Sequence, residues 1–193
     1  MEQQPSELPL NERMNRGVNS LLLIASVFAF PSIVFLHRDL GSRYAGLQAL
    51  LALVLIFVWP IVDPTGDPRP MLLFLAAFLI MCFVSRIGCF RNYRKGIRIH
   101  RYYHGTPRLM RYFPSLSELT VKRVVEPVVV SFVGLLLLPV SAMLGAFLVA
   151  SAVGLAITIS ASELAAQERA EAMYDQLIEQ SGISERFNRL RGK

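Results

Sequence analysis

The chain has 193 residues, 53% of them hydrophobic, a mean hydropathy of +0.45 and a formal charge of +6. Only 18% of its residues are charged, against about 25% in an average soluble domain, and the stretches 17–36, 44–62, 71–85 and 127–162 carry no charge at all. A helix needs about 20 mostly apolar residues to cross a bilayer, so the pattern excludes a soluble enzyme, a secreted disulfide scaffold and a disordered chain, and also a β-barrel, whose strands would alternate every second residue.

The fold class that follows is an all-α polytopic integral membrane protein. About five transmembrane helices are expected, with a basic cytoplasmic insert and a cytoplasmic C-terminal helix. Residues 1–16 read as a loose polar tail with Pro5 and Pro9. The tail holds acids as well as arginines, and the apolar run behind it is longer than a signal core, so a retained first span is expected at 17–36. Pro31 is a kink position within it.

A turn with Gly41 leads to a second span at 44–62, with Tyr44 and Trp59 at its ends, where amphipathic rings favour the headgroup level. Residues 63–70, DPTGDPRP, stop that helix. Asp63 and Asp67 in this loop read as turn formers more readily than as cation ligands. A third span is expected at 71–90, with Arg86 snorkelling from its last turn. It contains both cysteines, Cys82 and Cys89. Seven residues of helix rise about 10.5 Å, too far for a disulfide.

Residues 91–114 form a basic, aromatic cytoplasmic loop. Arg91, Arg94, Lys95, Arg98, Arg101, Arg108 and Arg111 interleave with Tyr93, Tyr102, Tyr103, Tyr112 and Phe113. Cationic side chains attract anionic headgroups at about 1 kcal/mol each near a membrane surface, so these residues are the expected lipid or partner docking site. The same composition suits nucleic acid, but that partner is disfavoured here. His100 and His104 would share a helical face, yet no nearby Cys, Asp or Glu completes a metal set. No metal or cofactor is expected.

The fourth helix is expected at 115–138, started by a capping box that opens at Ser115 and closes at Glu118. Lys122, Arg123 and Glu126 then lie at its membrane entrance. Arg123 is three residues before Glu126, so the two are expected to pair within one helix. A helix of 36 residues would be about 54 Å long against a hydrocarbon core of about 30 Å. The run 127–162 is therefore split at Pro139, giving a hairpin with a fifth span at 141–162. Ala142, Ala146, Ala150 and Gly154 recur every fourth position there and read as a packing ladder, with Ser131 and Gly134 of the fourth helix as the nearest partners. Residues 163–193 continue as a cytoplasmic helical tail. Gly182 is expected to end the first part, and Ile183, Phe187 and Leu190 to line a short basic amphipathic helix.

With five spans, 17 of the 20 Lys and Arg residues fall on one side. The positive-inside rule places that side, with the C-terminus, in the cytoplasm and the N-terminus outside. A bacterial inner membrane is the expected location. No Walker, GxSxG, HExxH or CxxC motif is present. The leading expectation is a non-enzymatic membrane subunit that anchors or scaffolds a larger assembly, such as a secretion or transfer machine. Its expected partners are anionic lipids, other membrane proteins or further copies of itself. Two alternatives remain open: a small transporter or channel component moving about Glu126, Pro31 and Pro127, and a membrane enzyme acting on lipid headgroups.

Overall fold

A computed structural model describes residues 10–38, 46–61, 66–94 and 105–192. The chain divides into two units, Met1–Thr158 and Ile159–Lys193. The protein is mostly helical. In order, α1 is Leu10–Leu36, β1 His37–Arg38, α2 Leu47–Val58, α3 Arg69–Arg94, β2 Thr106–Pro107, α4 Glu118–Thr120, α5 Glu126–Leu137 and α6 Ala142–Arg191. A 3-10 turn, Trp59–Ile61, extends α2, and a π turn, Val121–Val125, joins α4 to α5.

Among the described residues, three helices are long and apolar enough to cross a membrane: Gly17–Leu36, Arg69–Arg94 and Ala142–Arg191. Leu47–Ile61 is apolar but shorter. Large apolar side chains are exposed along these elements, among them Leu73, Ile80 and Phe83 of α3 and Phe132 and Leu136 of α5. A soluble monomer rarely exposes apolar surface on that scale. In a bilayer the same side chains meet lipid tails, so the helices fit a membrane location.

Within the first unit α1 is the central element. Ala29, Phe30, Ile33 and Val34 are all but inaccessible, and α1 packs against both α2 and α3. One face of the core is aromatic. Trp59 meets Phe28 edge-on at 5.7 Å and Phe147 at 5.5 Å, and Phe74 meets Phe147 at 5.6 Å. The Trp59 indole donates to the Met143 carbonyl at 3.2 Å. Trp59 therefore ties the end of α2 to the start of α6.

Serines join α1 to α6. Ser151 Oγ donates to the Phe28 carbonyl at 2.7 Å and lies 2.6 Å from Ser32 Oγ. A hydroxyl has one proton, so in this arrangement Ser32 is the donor to Ser151. Gly154 makes the close approach possible. A Cβ there would lie 2.6 Å from the Ala25 carbonyl oxygen. A second glycine contact closes the hairpin, where a Cβ on Gly145 would lie 2.8 Å from the Gly134 carbonyl oxygen. Between the two helices, α5 ends at Leu137 and α6 begins at Ala142, with Pro139 in the turn.

Several expected boundaries move. Helix α1 begins at Leu10, inside the segment read as a loose tail. Helix α3 runs on to Arg94, so Arg91 and Arg94 belong to it and not to the loop. Ser117, not Ser115, caps the fourth helical segment, accepting from the Thr120 N–H at 3.1 Å. Gly182 does not end the last helix, which continues to Arg191. A glycine inside a helix costs about 1 kcal/mol but supplies no alternative partner for the backbone, and no proline follows it.

In the second unit, Leu164, Met173, Tyr174, Leu177, Ile178, Phe187 and Leu190 are exposed among charged neighbours. Cys82 and Cys89 are free thiols.

Candidate functional site: a buried histidine–glutamate pair

The first unit brings two ionisable residues into its interior. One is His37, the residue after α1. The other is Glu126, the first residue of α5. His37 Nε2 and Glu126 Oε2 are 2.7 Å apart, and their side chains are 1% and 0% exposed. Both follow from where apolar sequence ends. His37 directly succeeds the charge-free run 17–36, and Glu126 directly precedes the run 127–162.

A local device holds each residue in place. After Leu36 the chain becomes extended, and His37–Arg38 pairs antiparallel with Thr106–Pro107, His37 opposite Pro107 and Arg38 opposite Thr106. Gly105 makes the approach, with φ at 84° and the Arg38 carbonyl oxygen against the place where a Cβ would stand. Only a residue without Cβ fits there. The Arg108 Nε then donates to the His37 carbonyl at 3.3 Å.

On the other side, the cap at Ser117 starts the helix and the π turn re-aims it. The Glu126 N–H reaches back five residues to the Val121 carbonyl. The cause is Pro127, which has no N–H and whose ring would press on the carbonyl four residues earlier. A wider turn before the proline relieves that clash, and such turns recur at functional sites. It also changes the phase of the helix. Counted at 3.6 residues per turn, Lys122, Arg123 and Glu126 share a face. In the structure Arg123 is exposed and Glu126 is fully buried. The partner found for Glu126 is His37, in place of the expected Arg123, and Lys122 pairs with Glu118 at 2.7 Å.

The pair is chemically specific. Buried polar groups need hydrogen-bond partners, and His37 and Glu126 provide one for each other. The second carboxylate oxygen, Oε1, is buried and has no hydrogen-bond partner among the described residues. Next to the pair lies an apolar cleft of about 320 Å³ between α1, α3, α5 and the start of α6. Leu36 and Val130, which line it, adjoin His37 in sequence and Glu126 by one helical turn respectively.

The expected docking residues fall in three places. Arg91 and Arg94 are in the last turn of α3, with the Arg94 guanidinium 4.8 Å from the centre of the Phe90 ring. Arg108 and Arg111 open and close a 3-10 turn after β2. Lys95, Arg98, Arg101, His100, His104, Tyr44 and Asp63 lie outside the described residues. Asp67 accepts from the Arg69 N–H at 3.0 Å at the start of α3. The packing ladder divides. Ala142 and Ala146 are exposed, Ala150 is half-buried and Gly154 is buried. Each step of four residues rotates about 40° around a helix with 3.6 residues per turn, so the ladder winds off one face. Gly154, its buried end, meets α1 and not the fourth helix. Among the described residues no group of three or more His, Cys, Asp or Glu is placed to hold a metal ion.

Sequence reasoning missed the His37–Glu126 pair because it sought partners for Glu126 within one helix. The signal was present: a lone histidine and a lone glutamate, each one residue beyond an apolar run. No known protein family, curated protein or solved structure matches the chain.

Proposed function

We propose that the chain is a non-enzymatic subunit that anchors a larger membrane assembly, such as a secretion or transfer machine. The observation that carries this reading is the second unit, a charged helix that leaves Met173, Leu177, Ile178 and Phe187 exposed. Large apolar side chains left open among charges mark a surface for another chain. Within the membrane unit, the Gly154 contact and the serine bonds join α6 to α1. In the proposed arrangement five helical segments cross a bacterial inner membrane. The basic segment and the C-terminus are cytoplasmic, and the N-terminus is outside, as the excess of Lys and Arg on one side requires.

A photo-crosslinking side chain placed at Leu177 in intact cells tests the docking helix. It is expected to form a discrete adduct with another protein chain. The absence of any adduct would contradict the proposal. A reporter fused at Lys193 is expected to read as cytoplasmic, and the opposite result would overturn the five-segment topology.

A second reading is a transporter or channel component. It is favoured by the His37–Glu126 pair, two ionisable side chains buried 2.7 Å apart beside a proline and a π turn. Proton or ion flux through the protein in liposomes, lost in Glu126→Gln, would select it over the subunit reading.

A further inference from the structure

The apolar cleft of the first unit is lined by Leu36, two residues before Arg38 in the chain. Phe35 and Leu36 of α1, Phe74 of α3, Val130 and Val133 of α5 and Leu148 of α6 wall it. The hydroxyl of Ser32, also on the wall, is already bonded to Ser151. The cleft therefore offers an occupant almost nothing but hydrocarbon. Its volume, about 320 Å³, falls at the small end of the range for ligand sites.

Two residues beyond Leu36 stands Arg38, exposed on β1. Arg108 is fixed beside the same strand by its bond to the His37 carbonyl. Neither has a carboxylate partner among the described residues. Partial burial, then the nearby charge of Arg38, holds the Arg108 guanidinium below its usual range. Two like charges near one another are relieved by an anion. The five N–H donors of a guanidinium suit a phosphate best.

We propose that the cleft and the Arg38–Arg108 pair together form a binding site for an anionic phospholipid, with an acyl chain in the cleft and the phosphate on the two arginines. Two arginines close in the chain to Leu36 or bonded to its neighbour His37, and a wall that is almost all hydrocarbon, suit an amphiphile with a negative head. The β1–β2 pairing is the positioning element, since it carries Arg38 on one strand and delivers Arg108 from the end of the other. The inference rests on the membrane placement of the helices and is independent of whether the chain joins a larger assembly. Lipid retained by the purified chain therefore reports on this site even if no partner protein is found.

The test is extraction of the full chain in mild detergent, delipidation, and re-exposure to mixed micelles of phosphatidylglycerol and phosphatidylcholine. Bound lipid is then identified by native mass spectrometry. The unaltered protein is expected to retain phosphatidylglycerol in preference. Arg108→Ala is expected to reduce that preference about fivefold, the change that follows from one cationic contact at a membrane surface. Val133→Trp, which fills the cleft and leaves the arginines in place, is expected to lower retention of both lipids. Should the tryptophan variant not fold, Arg108→Ala decides alone. Retention that follows the bulk lipid ratio and is unchanged in Arg108→Ala would overturn the proposal and leave only a non-selective lipid coat.

Discussion

His37 and Glu126, 89 residues apart in the chain, meet at 2.7 Å with almost no exposed surface. The contact fastens the end of α1 to the start of α5, and the β1–β2 pairing extends from the same point. One hydrogen-bonded contact thus fixes a junction of three segments. Deleting one partner of a buried pair leaves the other uncompensated, at a cost of about 3–5 kcal/mol. His37→Ala is expected to lower stability by that amount in detergent unfolding. Glu126→Gln keeps shape and a hydrogen bond to neutral imidazole, and is expected to cost less, about 1–2 kcal/mol. Equal losses in both variants would show that charge, not shape and bonding, dominates.

The α1–α6 contact depends on Gly154. Any side chain there meets the Ala25 carbonyl. Gly154→Leu is expected to separate the two helices locally and to destabilise by about 1–3 kcal/mol, the usual range for overpacking. Ala146→Leu, on the exposed part of the ladder, is expected to be neutral. Thermal unfolding of the two variants side by side distinguishes a packing face that winds around α6 from a straight ladder.

The position of the helix cap can be read by two serine substitutions. Ser117→Ala removes the acceptor of the Thr120 N–H and is expected to cost about 1 kcal/mol. Ser115→Ala is expected to change stability by less than about 0.5 kcal/mol, as surface substitutions do. The reverse order would restore the capping box at Ser115.

Gly105→Ala places a Cβ against the Arg38 carbonyl at a backbone angle that L side chains rarely adopt. The strain is expected to cost about 1–3 kcal/mol and to part β1 from β2. Faster hydrogen exchange of the backbone amides of β1 and β2 would register it. Unchanged exchange would mean that the pairing does not depend on this glycine.

Much of the architecture was legible because charge is so costly in hydrocarbon. The absence of charge alone delimits Gly17–Leu36, and the helical turn around Pro139 was legible from length, since 36 residues overshoot a bilayer. What was not legible came from departures from ideal helical phase. Pairing Arg123 with Glu126 assumed 3.6 residues per turn, and the π turn forced by Pro127 breaks that count. In the ladder from Ala142 to Gly154 only Gly154 is buried, because a spacing of four residues drifts around the helix. The His37–Glu126 contact is long-range, and local periodicity carries no information about it. Gly182 misled because glycine permits a helix end without compelling one.

The measurement that tests the central claim most directly is the native mass of the protein, extracted gently from its own membrane, with co-purifying chains identified. The account expects a complex much larger than the 21.6 kDa chain, containing defined partner proteins. A lone monomer or a small homo-oligomer would contradict it.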